Sequence, residues 1–278
     1  MAAVEHGSLA LHMGAGRRNP TGGHRSQASG LALQRFVALL AVFSLNFLTN
    51  RPIMSNMNSN IIGLLISFPF LALVIGLGIG LKKWFDISSE SMRKFIHIGV
   101  SNWWLIELCY FNTLTYALIG PILFIILNSL FTFLDWGTAL GLGDRKRNYG
   151  LIYFPIALVI LVLLQYNGMI GPISATVGVL VMGWGDGLAA LIGAKWGKRE
   201  IRLNVSKKSY LGTATMFLVT LVIIGGAALL YSSLPAGKAL LISLILAAVI
   251  SVVEVVTPLG LDNLSVPLLT TLLIEVLL

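Results

Sequence analysis

The sequence is poor in charged residues and almost free of cysteine. Only 11% of its 278 residues are Asp, Glu, Lys or Arg, whereas a soluble domain carries about 25%. The single cysteine, Cys109, excludes a disulfide framework within the chain and a zinc site built from cysteines. Apolar residues make up 56% of the chain and the mean hydropathy is +0.88. This composition predicts an all-α, polytopic integral membrane protein.

Apolar runs of about 20 residues are long enough to cross a bilayer as helices. The sequence contains nine such runs, of which the first includes Arg35 and the last ends near Glu275, so we expect about 8–9 transmembrane helices. Residues 1–30 are polar and Gly-rich, which predicts a disordered arm ahead of a single transmembrane domain at 31–278. The predicted spans are 31–49, 61–81, 95–112, 114–134, 150–166, 169–194, 211–232, 238–257 and 264–278.

The basic residues gather on one side of the predicted membrane. Thirteen Lys and Arg residues lie in the loops after the second, fourth and sixth spans, while the intervening loops hold only Arg51 and Lys238. The positive-inside rule therefore predicts that this side faces the cytoplasm. The membrane would be the inner membrane in a bacterium, or the endoplasmic reticulum or a plastid membrane in a eukaryote. The same rule accounts for the net charge of +8, so nucleic acid is not an expected partner.

A lone carboxylate, Asp186, lies in an otherwise apolar stretch. An ionisable group inside a membrane segment is costly and by default indicates function. An acid that holds Mg²⁺, followed by cations that neutralise phosphate oxygens, is the arrangement that a metal–polyphosphate site needs. The alternative is a packing motif with an interhelical salt bridge, because small residues flank the acid at helical spacing. The cations that follow are Lys195, Lys198, Arg199, Arg202, Lys207 and Lys208.

Two further groups of polar residues lie on the same predicted side. Arg93 and His97 are four residues apart and share a helix face, with Lys94 beside them. Membrane anchoring explains the two cations but not His97, for which a structural hydrogen bond is the alternative. Lys208, followed by Ser209 and Gly212 at the start of a span, is typical of phosphate binding at a helix N-terminus. A solvated run of charge is the alternative there.

Glu254 is a second acid near the cytoplasmic end of an apolar span. A turn containing Pro258 and Gly260 follows it, and then Asp262 and Asn263. Both of these residues are also suited to cap the last helix, which is the structural alternative. The basic run at 143–147 fits either a topology signal or a phosphate contact.

These motifs together resemble the polyprenol kinase family, which includes dolichol kinase, phytol kinase and the CTP-dependent diacylglycerol kinase. The resemblance begins with Asp186-Gly-Leu-Ala-Ala-Leu-Ile-Gly-Ala-Lys-Trp-Gly-Lys and Lys208-Ser209-x-x-Gly212. It extends to Arg93-Lys94-x-x-His97, the stretch 147–154 and the stretch 254–263, so it covers roughly residues 90–270 in consistent order.

The resemblance implies transfer of the γ-phosphate of CTP to the hydroxyl of a polyprenol, phytol or diacylglycerol, with Mg²⁺ as cofactor. It implies catalytic roles for Asp186, Glu254 and His97, and metal binding by Asp186 and Glu254, with Asp262 as an alternative ligand. Residues 31–278 would then form the catalytic domain. The implied nucleotide- or substrate-binding residues are Arg93, Lys94, Lys195, Lys198, Lys207, Lys208, Ser209, Gly212, Asp262 and Asn263.

Two other functions remain open at this point. The Asp186 to Ser209 stretch is also similar to phosphatidate cytidylyltransferases, which make CDP-lipids, although their longer C-terminal signature is absent and residues 254–263 fit the kinases. A membrane transporter with an intramembrane acid and a basic gate is the second alternative.

Overall fold

The computed structural model describes residues 57–134, 149–203 and 206–278. Six of the described helices are long and apolar enough to cross a membrane, which agrees with the predicted polytopic membrane protein. The predicted arm at 1–30, the span at 31–49 and the basic run at 143–147 lie outside the described residues. The six candidate spans are Asn58–Phe85, Leu114–Phe133, Tyr149–Tyr166, Pro172–Trp196, Tyr210–Tyr231 and Ala236–Val256.

The first half of the described chain is helical throughout. A long first helix is followed by a short amphipathic one, whose start is capped by the Ser88 hydroxyl accepting from the Ser91 N–H at 3.1 Å. Proline inside α1, α4 and α5 is tolerated because neighbouring groups satisfy the freed backbone in a membrane helix. The elements are α1 Met57–Phe85, α2 Ser89–Ser101, α3 Trp103–Tyr110, α4 Leu114–Phe133 and α5 Tyr149–Tyr166.

The second half contains the centre of the molecule and a small hairpin. One span is built from two α-helices joined by a π-helical segment, and an antiparallel pair of short strands follows it. Three further helices complete the described chain. The elements are α6 Pro172–Leu180, the π-helical segment Val181–Asp186, α7 Gly187–Trp196, β1 Glu200–Leu203, β2 Ser206–Ser209, α8 Tyr210–Tyr231, α9 Ala236–Val256 and α10 Asp262–Leu277.

The span Pro172–Trp196 is the most buried of the six. In its most apolar stretch 67% of residues are buried, against 11–39% in the others. Small residues allow this: a side chain at Gly183 would overlap Ser101 of α2, so the two helices approach closely because glycine is present. The buried position of this span places Asp186 inside the protein rather than against lipid.

The structure differs from the predicted elements in three places. The predicted span 95–112 is divided at Asn102 into α2 and α3, and the last predicted span is the 16-residue α10, so neither is among the six candidates. The basic loop after α7 is not irregular but forms the β1–β2 hairpin, in which Ile201 pairs with Lys208. The all-α prediction therefore holds for the described helices but misses this hairpin.

Candidate active site

A cavity of about 340 Å³ lies where the ends of several helices meet the hairpin. The start of α2, the C-terminal part of the central span, the hairpin and the start of α8 form its walls, together with the end of α9 and the start of α10. Every one of these contributions comes from the end of the bundle that carries the described basic loops. The lining residues are Glu90, Lys94, Asp186, Ala189, Ala190, Gly193, Ala194, Gly197, Glu200, Lys208, Ser209, Gly212, Thr213, Glu254 and Asp262.

Three buried carboxylates converge in this cavity. Asp186, Glu254 and Asp262 are only 3%, 4% and 7% exposed, and one oxygen of each lies within 4.8 Å of the others. They come from three elements: the end of the π-helical segment, the last turn of α9 and the first residue of α10. Glu254 follows Asp186 by 68 positions in the sequence, and Asp262 follows it by 76. Acids that are far apart in the chain therefore form one cluster.

The turn between α9 and α10 brings the last two acids together. Leu259 and Gly260 both have positive φ, 57° and 80°. Glycine suits this backbone, and a side chain at Gly260 would also approach the Gly150 backbone to 2.9 Å. At Leu259 the same conformation stores strain of about 1–3 kcal/mol, which is typical of functional sites. The strained turn is what allows Glu254 and Asp262 to face the same point.

Two lysines neutralise the acids. Lys94 of α2 donates to the Asp186 carboxylate at 2.5 Å. Lys208 of β2 donates to the Glu254 carboxylate, to the Glu254 backbone carbonyl at 2.5 Å and to the Asp262 carboxylate at 3.0 Å. When all five groups are ionised, three negative charges face two positive ones. The cluster then keeps one excess negative charge, which favours binding of a further cation.

The protonation state of Lys208 follows from its neighbours. Burial alone would lower the pKa of its ammonium group, but the nearby carboxylates of Asp262, Glu254 and Asp186 outweigh burial and raise the pKa above its usual value. Lys208 is therefore a permanent cation near neutral pH. It remains positively charged whether it pairs with the carboxylates or with an incoming anion.

His97 lies beside the cluster without joining it. Its Nε2 atom is 4.0 Å from Asp186 Oδ2, beyond hydrogen-bonding distance. Burial, the Lys94 cation and the Arg93 cation lower its pKa to about 4, against the opposing effect of Asp186, so the imidazole is neutral at pH 7. The ring packs edge-on against Phe154 with 4.7 Å between the centroids.

The N-terminus of α8 also faces the cavity. The Ser209 hydroxyl accepts from the Gly212 N–H at 3.0 Å and caps the helix. A side chain at Gly212 would come within 2.9 Å of the Ala189 carbonyl oxygen, so α7 and α8 pack closely only because glycine is present. The dipole of a helix start favours a bound anion. The cavity therefore combines a region suited to a cation with a region suited to phosphate.

The acidic cluster fits a Mg²⁺ ion by its chemistry. Mg²⁺ prefers oxygen ligands and is commonly held by one or two carboxylates together with phosphate oxygens. The cluster supplies three carboxylates and an adjacent helix start for the phosphates. Asp186, Glu254 and Asp262 are the residues that would hold the metal.

The structure brings together about half of the residues predicted from sequence. Those in or facing the cavity are Lys94, Asp186, Lys208, Ser209, Gly212, Glu254 and Asp262, with His97 at its edge. Lys195 and Lys198 are exposed outside the lining, and Lys195 lies over the Trp196 ring at 4.6 Å. The side chain of Lys207 lies outside the described part of the chain.

Arg93 and Asn263 are also away from the cavity lining. Arg93 forms an ion pair with Glu90 at 2.7 Å on the first turns of α2. The Asn263 amide donates to the Gly260 carbonyl at 3.1 Å and to the Asp262 carboxylate at 3.3 Å. These contacts stabilise the turn that positions Asp262. They are not the helix cap weighed as the alternative, because the cap residue of α10 is Leu261 and no side chain caps this helix.

Three polar lining residues were not predicted from the sequence: Glu90, Glu200 and Thr213. The two acids lie in polar stretches at the ends of spans, where a carboxylate is unremarkable by itself. The hairpin that carries Glu200 did have a signal, because Ile201, Leu203 and Val205 alternate with polar residues as in a strand.

Helices, cavity and buried charges together define a polytopic membrane protein in which three buried carboxylates, two lysines and a helix start meet at one cavity. The chain is homologous to phytol kinase from Synechocystis sp.: 29% of residues are identical over 192 residues, covering 65% of this chain and 76% of the kinase. This confirms the resemblance to the polyprenol kinase family. No protein-family model matches the chain. No solved structure matches it either.

Replacing Lys208 by methionine should destabilise the protein. The substitution keeps a side chain of similar length but leaves two buried carboxylates without their cation, which costs roughly 3–5 kcal/mol. Thermal unfolding in detergent measures the effect. Lys195→Met, which removes an exposed lysine, is the matched control and should melt close to the unaltered protein. Equal melting temperatures for both variants would show that Lys208 does not hold the acids.

Proposed function

We propose that this protein is a CTP-dependent lipid-alcohol kinase, which transfers the γ-phosphate of CTP to the hydroxyl of a membrane lipid. One observation carries the proposal: Asp186, Glu254 and Asp262 converge with Lys94 and Lys208 beside a helix N-terminus, in a chain homologous to phytol kinase. That geometry suits phosphoryl transfer, which depends mainly on positioning and charge neutralisation.

The reaction assigns a role to each side of the cavity. The hydroxyl oxygen of the lipid forms a bond to the γ-phosphorus, and the bond from that phosphorus to the β–γ bridging oxygen breaks, so that CDP leaves. A basic group at the cavity accepts the hydroxyl proton as this bond forms. Lys94, Lys208 and the dipole at the start of α8 stabilise charge on the phosphate oxygens. A bound Mg²⁺ would supply further charge neutralisation, held by Asp186, Glu254 and Asp262.

The acceptor class follows from the position of the site and from the homology. The cavity lies at the ends of membrane-spanning helices, where a hydroxyl at the end of a long apolar chain can reach it from the bilayer. A polyprenol, phytol or diacylglycerol has this form, and phytol is the natural first substrate to test because the relative is a phytol kinase.

Asp186→Asn should abolish most of the activity while the protein still folds. The substitution keeps the shape of the side chain but removes one anionic metal ligand, and loss of one such stabilising group costs on the order of 10²–10³ in rate. The measurements are turnover of radiolabelled CTP with phytol and the melting temperature in detergent.

Asp86→Asn is the matched control for this prediction. Asp86 is exposed, and its φ of 50° is a conformation that asparagine also adopts readily. This variant should keep both activity and stability. Normal turnover by Asp186→Asn would refute a metal-binding role. Lost turnover accompanied by a collapsed melting temperature would instead favour a structural ion pair with Lys94.

The phosphate donor should be CTP, and the products should be CDP and a phosphorylated lipid. Purified protein is incubated with phytol and with CTP or ATP labelled at the γ-phosphate, and the label is followed into the lipid. Equal or faster labelling from ATP would reject CTP as the specific donor. Release of pyrophosphate with a CDP-lipid would support the cytidylyltransferase reaction, and uptake of solute without any transfer would support a transporter.

We further propose that the cavity end of the bundle faces the cytoplasm. The support is the distribution of charge among the described residues: Lys82, Lys83 and Lys198 lie at this end, whereas Lys238 lies at the start of α9, at the opposite end. Cys109 is buried and can be replaced by alanine, so that single cysteines report on accessibility alone.

In membrane vesicles of known orientation, a cysteine at position 198 should react with an impermeant maleimide from the cytoplasmic side. A cysteine at position 238 should react from the opposite side, because α9 crosses the membrane between position 238 and the cavity. Labelling of both positions from one side would contradict the arrangement. The reversed pattern would place the active site on the other face.

A further inference from the structure

A second cavity, of about 420 Å³, lies next to the first and is almost wholly apolar. It is enclosed by α1, α2, α4 and α5, and ligand-binding pockets in proteins have about this size, roughly 300–1,000 Å³. Representative lining residues are Ile79, Ile96, Val100, Phe124, Phe154 and Leu158. An apolar space of this volume beside a polar site can hold a hydrocarbon chain.

The cavity is accessible from the lipid-facing surface. Ile75 and Ile79 line it and are also 38% and 55% exposed on α1, a candidate membrane span. In a bilayer the exposed face of such a span lies against hydrocarbon. A chain dissolved in the membrane can therefore enter without crossing water.

Most polar groups around the apolar cavity are occupied by the protein itself. Lys82 donates to the Ser89 hydroxyl at 3.0 Å, and Arg93 pairs with Glu90 at 2.7 Å. The Asn128 amide donates to a backbone carbonyl at 2.8 Å. These groups line the wall without needing a ligand.

His97 is different because it has an unused buried nitrogen. Its Nε2 atom is buried and has no hydrogen-bond partner among the described residues. The ring does bond to the backbone of Met182, and since Nε2 is unpartnered, this bond is made by Nδ1. When Nδ1–H donates to a carbonyl, the other ring nitrogen, Nε2, is the one that can accept a hydrogen bond.

His97 also connects the two cavities. It lines the apolar cavity, while its Nε2 is 4.0 Å from the Asp186 carboxylate of the acidic cluster. An unpartnered buried acceptor at the junction of an apolar cavity and a charged one is available to a donor that arrives with the ligand. A hydroxyl at the end of a hydrocarbon chain is such a donor.

We propose that the apolar cavity binds the hydrocarbon chain of the acceptor alcohol and that its hydroxyl donates a hydrogen bond to His97 Nε2. This places the hydroxyl oxygen beside Asp186, at the edge of the cavity that receives the nucleotide phosphates. The inference rests on the proposed kinase function and adds to it the site and orientation of the lipid substrate. His97 is then a substrate-binding residue rather than part of the metal site.

The first test narrows the cavity with Val100→Phe. Val100 lines the apolar cavity one turn beyond His97, so the added ring should occupy space that the chain needs and raise the KM for phytol roughly tenfold or more. The KM for CTP should stay unchanged. Val252→Phe, which makes the same change at a 59% exposed position on α9, is the control and should leave both constants unchanged.

The second test removes and then restores the acceptor at position 97. His97→Leu should lower kcat with phytol by about a hundredfold, because the hydroxyl is no longer oriented. His97→Gln places an amide oxygen near the position of Nε2 and should recover part of the rate. A purely structural role would make both variants equally poor and would lower their melting temperatures together.

Photocrosslinking locates the chain independently of turnover. A phytol analogue with a diazirine in mid-chain should label peptides of α1, α2, α4 or α5 in the unaltered protein, with competition by free phytol and weaker labelling of Val100→Phe. Labelling elsewhere, or unchanged phytol kinetics in Val100→Phe while the unaltered enzyme phosphorylates phytol, would overturn the inference alone. No phosphorylation of any lipid alcohol by the unaltered protein would overturn the proposed function, and the inference with it.

Discussion

Pairing of buried carboxylates with two lysines is the interaction on which the site depends. Ionised groups inside a protein are strongly destabilising unless partners compensate them. Lys208 compensates Glu254 and Asp262, and Lys94 compensates Asp186. The ends of the helices that carry these acids can therefore lie close together only because Lys208 of the hairpin and Lys94 of α2 neutralise the acids. These ion pairs thus hold α2 and the hairpin against the helices that carry the acids.

The same pairing leaves the site ready for its ligands. An excess negative charge remains for a cation, and the lysines are long, flexible cations that can turn from carboxylates to phosphate oxygens. The strained turn at Leu259 and the π-helical segment before Asp186 fit this interpretation, because irregular backbone persists where a site requires a particular side-chain position. Homology to phytol kinase is consistent with these features.

Two adjacent cavities, one charged and one apolar, provide separate binding sites for the two substrates of the proposed reaction. The acidic cavity suits a charged nucleotide from the aqueous side, and the apolar one suits a chain from the bilayer. His97 lies between them, with one nitrogen fixed by the backbone of Met182 and the other without a partner among the described residues. A kinase that phosphorylates membrane alcohols has to bring together two substrates that dissolve in different phases, one in water and the other in the bilayer.

The sequence by itself determined the membrane class, most of the helices and the presence of two acids, Asp186 and Glu254, within apolar spans, because hydropathy and charge are local properties. It also placed Lys208, Ser209 and Gly212 at a helix start. Only the tertiary structure decided which cations enter the site: Lys94 and Lys208 do, while Lys195 and Lys198 remain exposed. The break at Asn102, the hairpin and the apolar cavity were likewise decided by packing between segments far apart in sequence. A basic run looks the same whether its residues point inward or outward, and that direction is set by the neighbours that the fold supplies.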